Sequence, residues 1–122
     1  MSSTEAKLPR LLFRDMRSRV ETLADEVIKD RVLRGIELLN DIYGPDWVDH
    51  VDPRRLVMSD ESHCVLGQVY GDYSLGLEKL QDQADWVHDG WQFGFDRDPD
   101  RVFGDNTETY ADLDAAWHTV LA

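Results

Sequence analysis

Apolar residues recur every three or four positions through much of this chain, the period of helices that bury one face. From Arg14 to Tyr43 the spacing is kept by Val20, Leu23, Ala24, Val27 and Ile28, then by Val32, Ile36, Leu39 and Tyr43, with charged residues between. No proline interrupts the run, and only Gly35 weakens it. The pattern predicts one long helix over 14–43, with a break near Asp30–Gly35 as the alternative. Gly44-Pro45 ends it, because glycine accepts the left-handed conformation past a helix end and proline cannot continue the helix. Residues 45–57 read as a connector. Asp46-Trp47-Val48 makes a helical turn that sends Trp47 and Val51 into the core, and Asp52-Pro53 caps a short helix.

The next periodic segment runs from Met58 to Leu80. Ser59 is the expected N-cap, with Asp60 and Glu61 in the first turn. Leu66, Val69, Tyr70, Tyr73, Leu77 and Leu80 form an apolar stripe, and Cys64, Gly67, Gly71 and Ser74 form a parallel stripe of small residues. Glycines inside a helix cost about 1 kcal/mol each relative to alanine. Close approach of a neighbour, taken to be the 14–43 helix, or a turn at Gly71 would compensate. The small stripe is therefore read as a packing device. Beyond Gln81–Asp85, the alternation of Trp91, Phe93 and Phe95 predicts a short strand. Residues 96–105 read as a loop. Asn106 or Thr107 caps a last helix whose apolar face is Tyr110, Leu113, Ala116 or Trp117, and Val120. The expected fold is mainly α: a loose basic arm over residues 1–13, then a single helical domain over 14–122. That domain has a long N-terminal helix, a Gly-rich central helix or helical hairpin, and one short β segment.

A length of 122 residues suits one domain, and the aromatic content supports a folded core. No apolar run is long enough to cross a bilayer, and the first residues lack the apolar centre of a signal peptide. With one cysteine, Cys64, no internal disulfide can form. A reducing cytoplasmic setting is expected.

The net charge of −12 is unevenly spread: +1 over residues 1–40, −5 over 41–81 and −8 over 82–122. Lys7, Arg10, Arg14, Arg17 and Arg19 meet only Asp15 in their own stretch. This polarity predicts an N-terminal arm that folds onto the acidic half or meets an acidic partner.

Charge also orders the functional readings. Gly67, Gly71, Leu77 and Leu80 have helix-turn-helix spacing, but the recognition helix, Tyr73 to Lys79, carries one Lys and no Arg in an acidic segment that repels phosphate. Nucleic-acid binding is therefore disfavoured. The acids Asp82, Asp85, Asp89, Asp96, Asp98, Asp100, Asp105, Glu108, Asp112 and Asp114 offer a second reading, a carboxylate array that imitates nucleic acid in a basic groove. Cys64 adjoins His63, but neighbours on a helix point about 100° apart, so His50, His88 or His118 would have to be supplied by the fold. No zinc, calcium, phosphate-loop or dinucleotide motif is present, and His50, Asp52, Asp60, Glu61 and His63 lack a recognised ligand spacing. No catalytic residue, cofactor or metal ligand is assigned. The aromatic segment around Trp86 and Trp91, with Asp96, Asp98 and Asp100, is the candidate partner-binding face.

Cys64-Val65-Leu66-Gly67-Gln68-Val69-Tyr70-Gly71-Asp72-Tyr73 resembles a stretch found in a group of short uncharacterised proteins of actinobacteria and their phages. Gly94-Phe95-Asp96, Tyr110, Leu113 and Trp117, and the Gly44-Pro45-Asp46-Trp47 turn also fit. The resemblance implies a bacterial or phage setting and no particular activity. The expected function is thus a small acidic, non-enzymatic protein that binds a basic protein partner. Self-association through the N-terminal helix is a further expectation.

Overall fold

The computed structural model describes residues 12–99 and 108–122. It is mainly helical, with no strand among the described residues. The helices are α1 (Phe13–Val20), α2 (Glu26–Ile42), α3 (Val65–Tyr70), α4 (Tyr73–Gln83) and α5 (Tyr110–Leu121). Short 3₁₀ turns span Pro45–His50, Pro53–Arg55 and Gly90–Phe93. None of these helices is long and apolar enough to cross a membrane. The expected arm lies outside the described residues up to position 11, while Phe13 already belongs to α1.

The long helix over 14–43 is not formed. It breaks at residues 21–25 rather than near Asp30–Gly35. Two side chains there bond to backbone in ways that compete with a continuous ladder. Thr22 Oγ1 donates to the Arg19 carbonyl at 2.6 Å, and Asp25 caps α2 by accepting from the amides of Val27 and Ile28 at 2.9 and 3.1 Å. The three-and-four spacing runs on across the break because both helices bury the same side: Val20, Ile28 and Val32 all reach the core. The break frees α1 to lie against α5 while α2 runs through the centre. Arg19 Nη1 then donates to the carbonyls of Val120 and Ala122 at 3.1 and 2.6 Å. Of the expected basic stretch, Arg19 thus meets the end of the C-terminal helix, while Lys7 and Arg10 lie outside the described residues.

Helix α2 ends as expected, with Gly44 at φ +113°. Trp47 is fully buried, and its indole N–H donates to Asn40 Oδ1 at 2.8 Å. Asp52 caps the following turn through the Arg54 amide at 3.0 Å. The central segment is a helical hairpin. Its first helix starts at Val65, with Cys64 rather than Ser59 as N-cap; the Cys64 sulfur accepts from the Gly67 amide at 3.3 Å. Residues 57–63 instead form tight turns. Gly71, at φ +102°, closes α3, and Asp72 caps α4 through the amides of Ser74 and Leu75.

The alternating aromatic segment is a turn rather than a strand. Gly90–Phe93 winds as 3₁₀, Gly94 takes φ +72°, and the Phe95 amide returns to the Gly90 carbonyl at 3.0 Å. Phe93 and Phe95 are both buried, so the alternation reflects a reversal at Gly94. This turn sits directly on α2. A Cβ at Gly35 would collide with the Phe93 carbonyl oxygen, and a Cβ at Gly94 would press on the Val32 backbone. Phe95 stacks on Trp117 at 6.1 Å, and the Trp117 indole N–H donates to the Gly94 carbonyl at 2.7 Å. Helix α5 begins at Thr109 with a reciprocal cap: Thr109 Oγ1 accepts from the Asp112 amide, and Asp112 accepts from the Thr109 amide. The expected caps Asn106 and Thr107 lie outside the described residues.

Gly35→Ala gains helix propensity worth about 1 kcal/mol but must push the Phe93 backbone away. It is expected to destabilise the protein by about 3 kcal/mol net, read from the midpoint of urea unfolding at unchanged slope. Gly67→Leu, whose Cβ would strike the Glu61 carbonyl, is expected to abolish folding; a normal unfolding transition would refute that.

Candidate functional site

The four residues of the small stripe serve separate local purposes. Gly67 admits the backbone of Glu61 and Ser62, which folds back over α3, rather than helix α2. Gly71 has no atom within 4 Å of a Cβ position and is needed for its left-handed backbone. Ser74 is exposed. The close approach between α3 and α4 occurs instead at Gly76, against Leu66 and Tyr70. Gln68 completes the local closure: its side-chain oxygen accepts from the Asp52 amide at 2.7 Å, and its nitrogen donates to the carbonyls of His63 and Asp52 at 3.0 and 3.3 Å.

Cys64 is buried, and desolvation pushes its thiol up from the ordinary range, which keeps it protonated and weakly reactive. No histidine bonds to it among the described residues. His63 Nδ1 faces Asp60 at 3.1 Å, His50 packs edge-on against Tyr43, and His118 Nε2 meets the Leu56 carbonyl at 3.2 Å. No three His, Cys, Asp or Glu side chains among the described residues are grouped to hold a metal ion. Helix α4, the would-be recognition helix, exposes Ser74, Leu75, Glu78, Lys79, Gln81 and Asp82. One base against two acids gives a DNA phosphate little to bind.

The acidic half divides into two groups. One is built into the fold. Arg31 Nη2 donates to Asp98 Oδ2 at 2.7 Å and Nη1 to Glu108 Oε1 at 3.1 Å, and the Asp98 amide donates to Glu108 Oε2 at 2.7 Å. The three side chains are 13%, 7% and 0% exposed. Trp91 covers the Arg31 guanidinium, its ring centre 4.9 Å away. Asp96 accepts from the hydroxyls of Tyr110 at 2.7 Å and Tyr73 at 3.5 Å. Asp112 closes the α5 cap, and Asp114 accepts from the Met58 amide at 2.6 Å. The other group is displayed: Asp82, Asp85 and Asp89 are exposed. Asp100 and Asp105 lie outside the described residues.

Of the aromatic face, Trp86 is 60% exposed, the most exposed large apolar side chain among the described residues. Its ring rests on Phe93 at 5.9 Å and a 51° tilt, and Phe93 leads through Phe95 to Trp117. Trp86 is thus presented to solvent with its ring tilted against a row of packed aromatic rings. Trp91, Asp96 and Asp98, the other described residues of the expected binding face, are engaged within the protein. Sequence reasoning missed Arg31 because its partners lie 67 and 77 residues away, and one charge among many in an amphipathic helix carries no distance information. Together these features define a small, mainly helical protein with an exposed tryptophan and exposed carboxylates among its described residues. Comparison with protein-family models, with curated proteins and with solved structures returns no match for this chain.

Arg31→Ala removes the guanidinium that the buried Asp98 and Glu108 both engage and is expected to cost about 3–5 kcal/mol, measured by chemical unfolding. The hydroxyls around Asp96 give a spectroscopic test. The hydrogen bond to the Asp96 carboxylate, aided by burial, pushes Tyr110 up to about 12; burial, then the Asp96 charge, pushes Tyr73 up further. Both raised values favour the protonated phenol in the folded state. Their stabilisation is full below the ordinary tyrosine value of about 10 and is lost as pH rises through the folded values. Absorbance titration should show Tyr73 and Tyr110 ionising late, beside Tyr70, which burial also pushes up, and Asp96→Asn should return Tyr110 toward its ordinary value.

Proposed function

We propose that this protein is a small acidic, non-enzymatic interaction protein of a bacterial or phage cytoplasm that binds a basic protein partner through the face around Trp86. The observation that carries this reading is the 60% exposure of Trp86 with its ring backed by the buried Phe93. Tryptophan is among the side chains most enriched in binding hot spots, and rigid anchoring lowers the ordering cost of association. The exposed carboxylates of Asp85 and Asp89, on either side of it in the chain, favour a basic partner over an acidic one.

The nucleic-acid-mimic reading has less support. Of the ten acids offered for it, Asp96, Asp98, Glu108, Asp112 and Asp114 have partners inside the fold, so they are not free to present an extended array. The helix-turn-helix reading has less still, since α4 exposes a single base.

Affinity capture from an actinobacterial lysate tests the proposal, with the wild type beside Trp86→Ser and the double variant Asp85→Asn/Asp89→Asn. A basic protein should be retained by the wild type, released as salt rises, and weakened about tenfold or more by Trp86→Ser. Capture that ignores both salt and Trp86 would overturn the reading.

A further inference from the structure

We infer that the exposed face of Trp86 is a receptor for a guanidinium, so that the basic partner engages this surface through an arginine side chain. The inference rests on Trp86 being the partner-binding face and specifies its chemistry.

The protein contains a filled example of such a receptor. At the α2 end of the aromatic turn, Arg31 is held by an indole, Trp91, on one side and by two carboxylates, Asp98 and Glu108, at its nitrogens. Around Trp86 the chain supplies the same residue types: an indole with the exposed Asp85 before it and the exposed Asp89 three residues after it. Here the cation is missing. Among the described residues the cations stacked on aromatic rings are Arg31 on Trp91 and Arg97 on Tyr110, and neither Asp85 nor Asp89 forms an ion pair. Phe93 supports the Trp86 ring from within, which leaves the rest of the indole to solvent.

An indole face attracts cations more strongly than any other side-chain ring. Nearby carboxylates add Coulomb attraction, and an overall charge of −12 turns anions away. Arginine suits the site better than lysine. Its planar, weakly hydrated guanidinium stacks on an indole while its edge donates to carboxylates, whereas an ammonium is a compact, strongly hydrated charge.

The test is a titration of ¹⁵N-labelled full-length protein with a short peptide of arginines spaced by glycines, beside the same peptide carrying uncharged citrulline. The Trp86 indole N–H resonance should move with the arginine peptide while the other three indoles stay fixed, and it should not move with citrulline. Trp86→Leu keeps the apolar volume but removes the ring, and should weaken binding about fivefold; Trp86→Phe should weaken it less. Asp85→Asn/Asp89→Asn should weaken it at unchanged Tm. Equal response to citrulline, wild-type binding by Trp86→Leu, or shifts that spare Trp86 would overturn the inference. Partner capture lost in Trp86→Ser but kept in Trp86→Leu would leave the proposed function standing, with apolar burial as its basis, and remove the guanidinium. Capture indifferent to both variants would remove both.

Discussion

The fold depends on the contact between the turn at Gly90–Phe95 and helix α2. At Gly35 the helix has no Cβ, so the Phe93 carbonyl can lie against it, and Gly94 makes the matching approach to Val32. The backbone rather than side chains therefore sets the distance between the turn and α2. Phe95 reaches Trp117, and the Gly94 carbonyl receives the Trp117 indole. One helical turn before Gly35, on the same face of α2, Arg31 meets Trp91, Asp98 and Glu108. The turn therefore forms a layer of contacts shared by α2 and α5, which also touch each other directly. The same layer holds Trp86 at the surface through Phe93.

That layer also sorts the acidic residues. Buried carboxylates are tolerated only with a cation or several donors. Asp98 and Glu108 have Arg31, and Asp96 has two tyrosine hydroxyls. These acids stabilise the C-terminal half instead of charging its surface. Asp85 and Asp89 remain exposed on either side of the exposed Trp86 in the chain. The folding contacts and the exposed indole thus occupy adjacent parts of one short segment.

The central hairpin is by contrast largely closed on itself. Cys64 caps α3, Gly67 makes room for the Glu61–Ser62 backbone, Gln68 ties down Asp52 and His63, and Gly71 turns the chain. The most motif-like stretch of the sequence is accounted for by these local bonds. Any conservation of that stretch would be demanded by folding before any binding role is invoked.

Local chemistry made much of this legible in advance. The helical period, the stop at Gly44-Pro45, the cap at Asp52-Pro53 and the turn at Gly71 each depend on residues a few positions apart, and all are present. The break at residues 21–25 was not legible in periodicity, because α1 and α2 bury one continuous stripe; Asp25 and Thr22 held its only local signal. The aromatic alternation pointed to a strand because period two cannot distinguish a pleat from a reversal at a glycine. Trp86 and Trp91 were equivalent in sequence. Burial decided that one covers Arg31 and the other faces water. Residue type and spacing determined which elements form and that the surface is acidic. Only tertiary structure decided which carboxylates are held inside and which tryptophan is left exposed, because both depend on contacts between positions tens of residues apart.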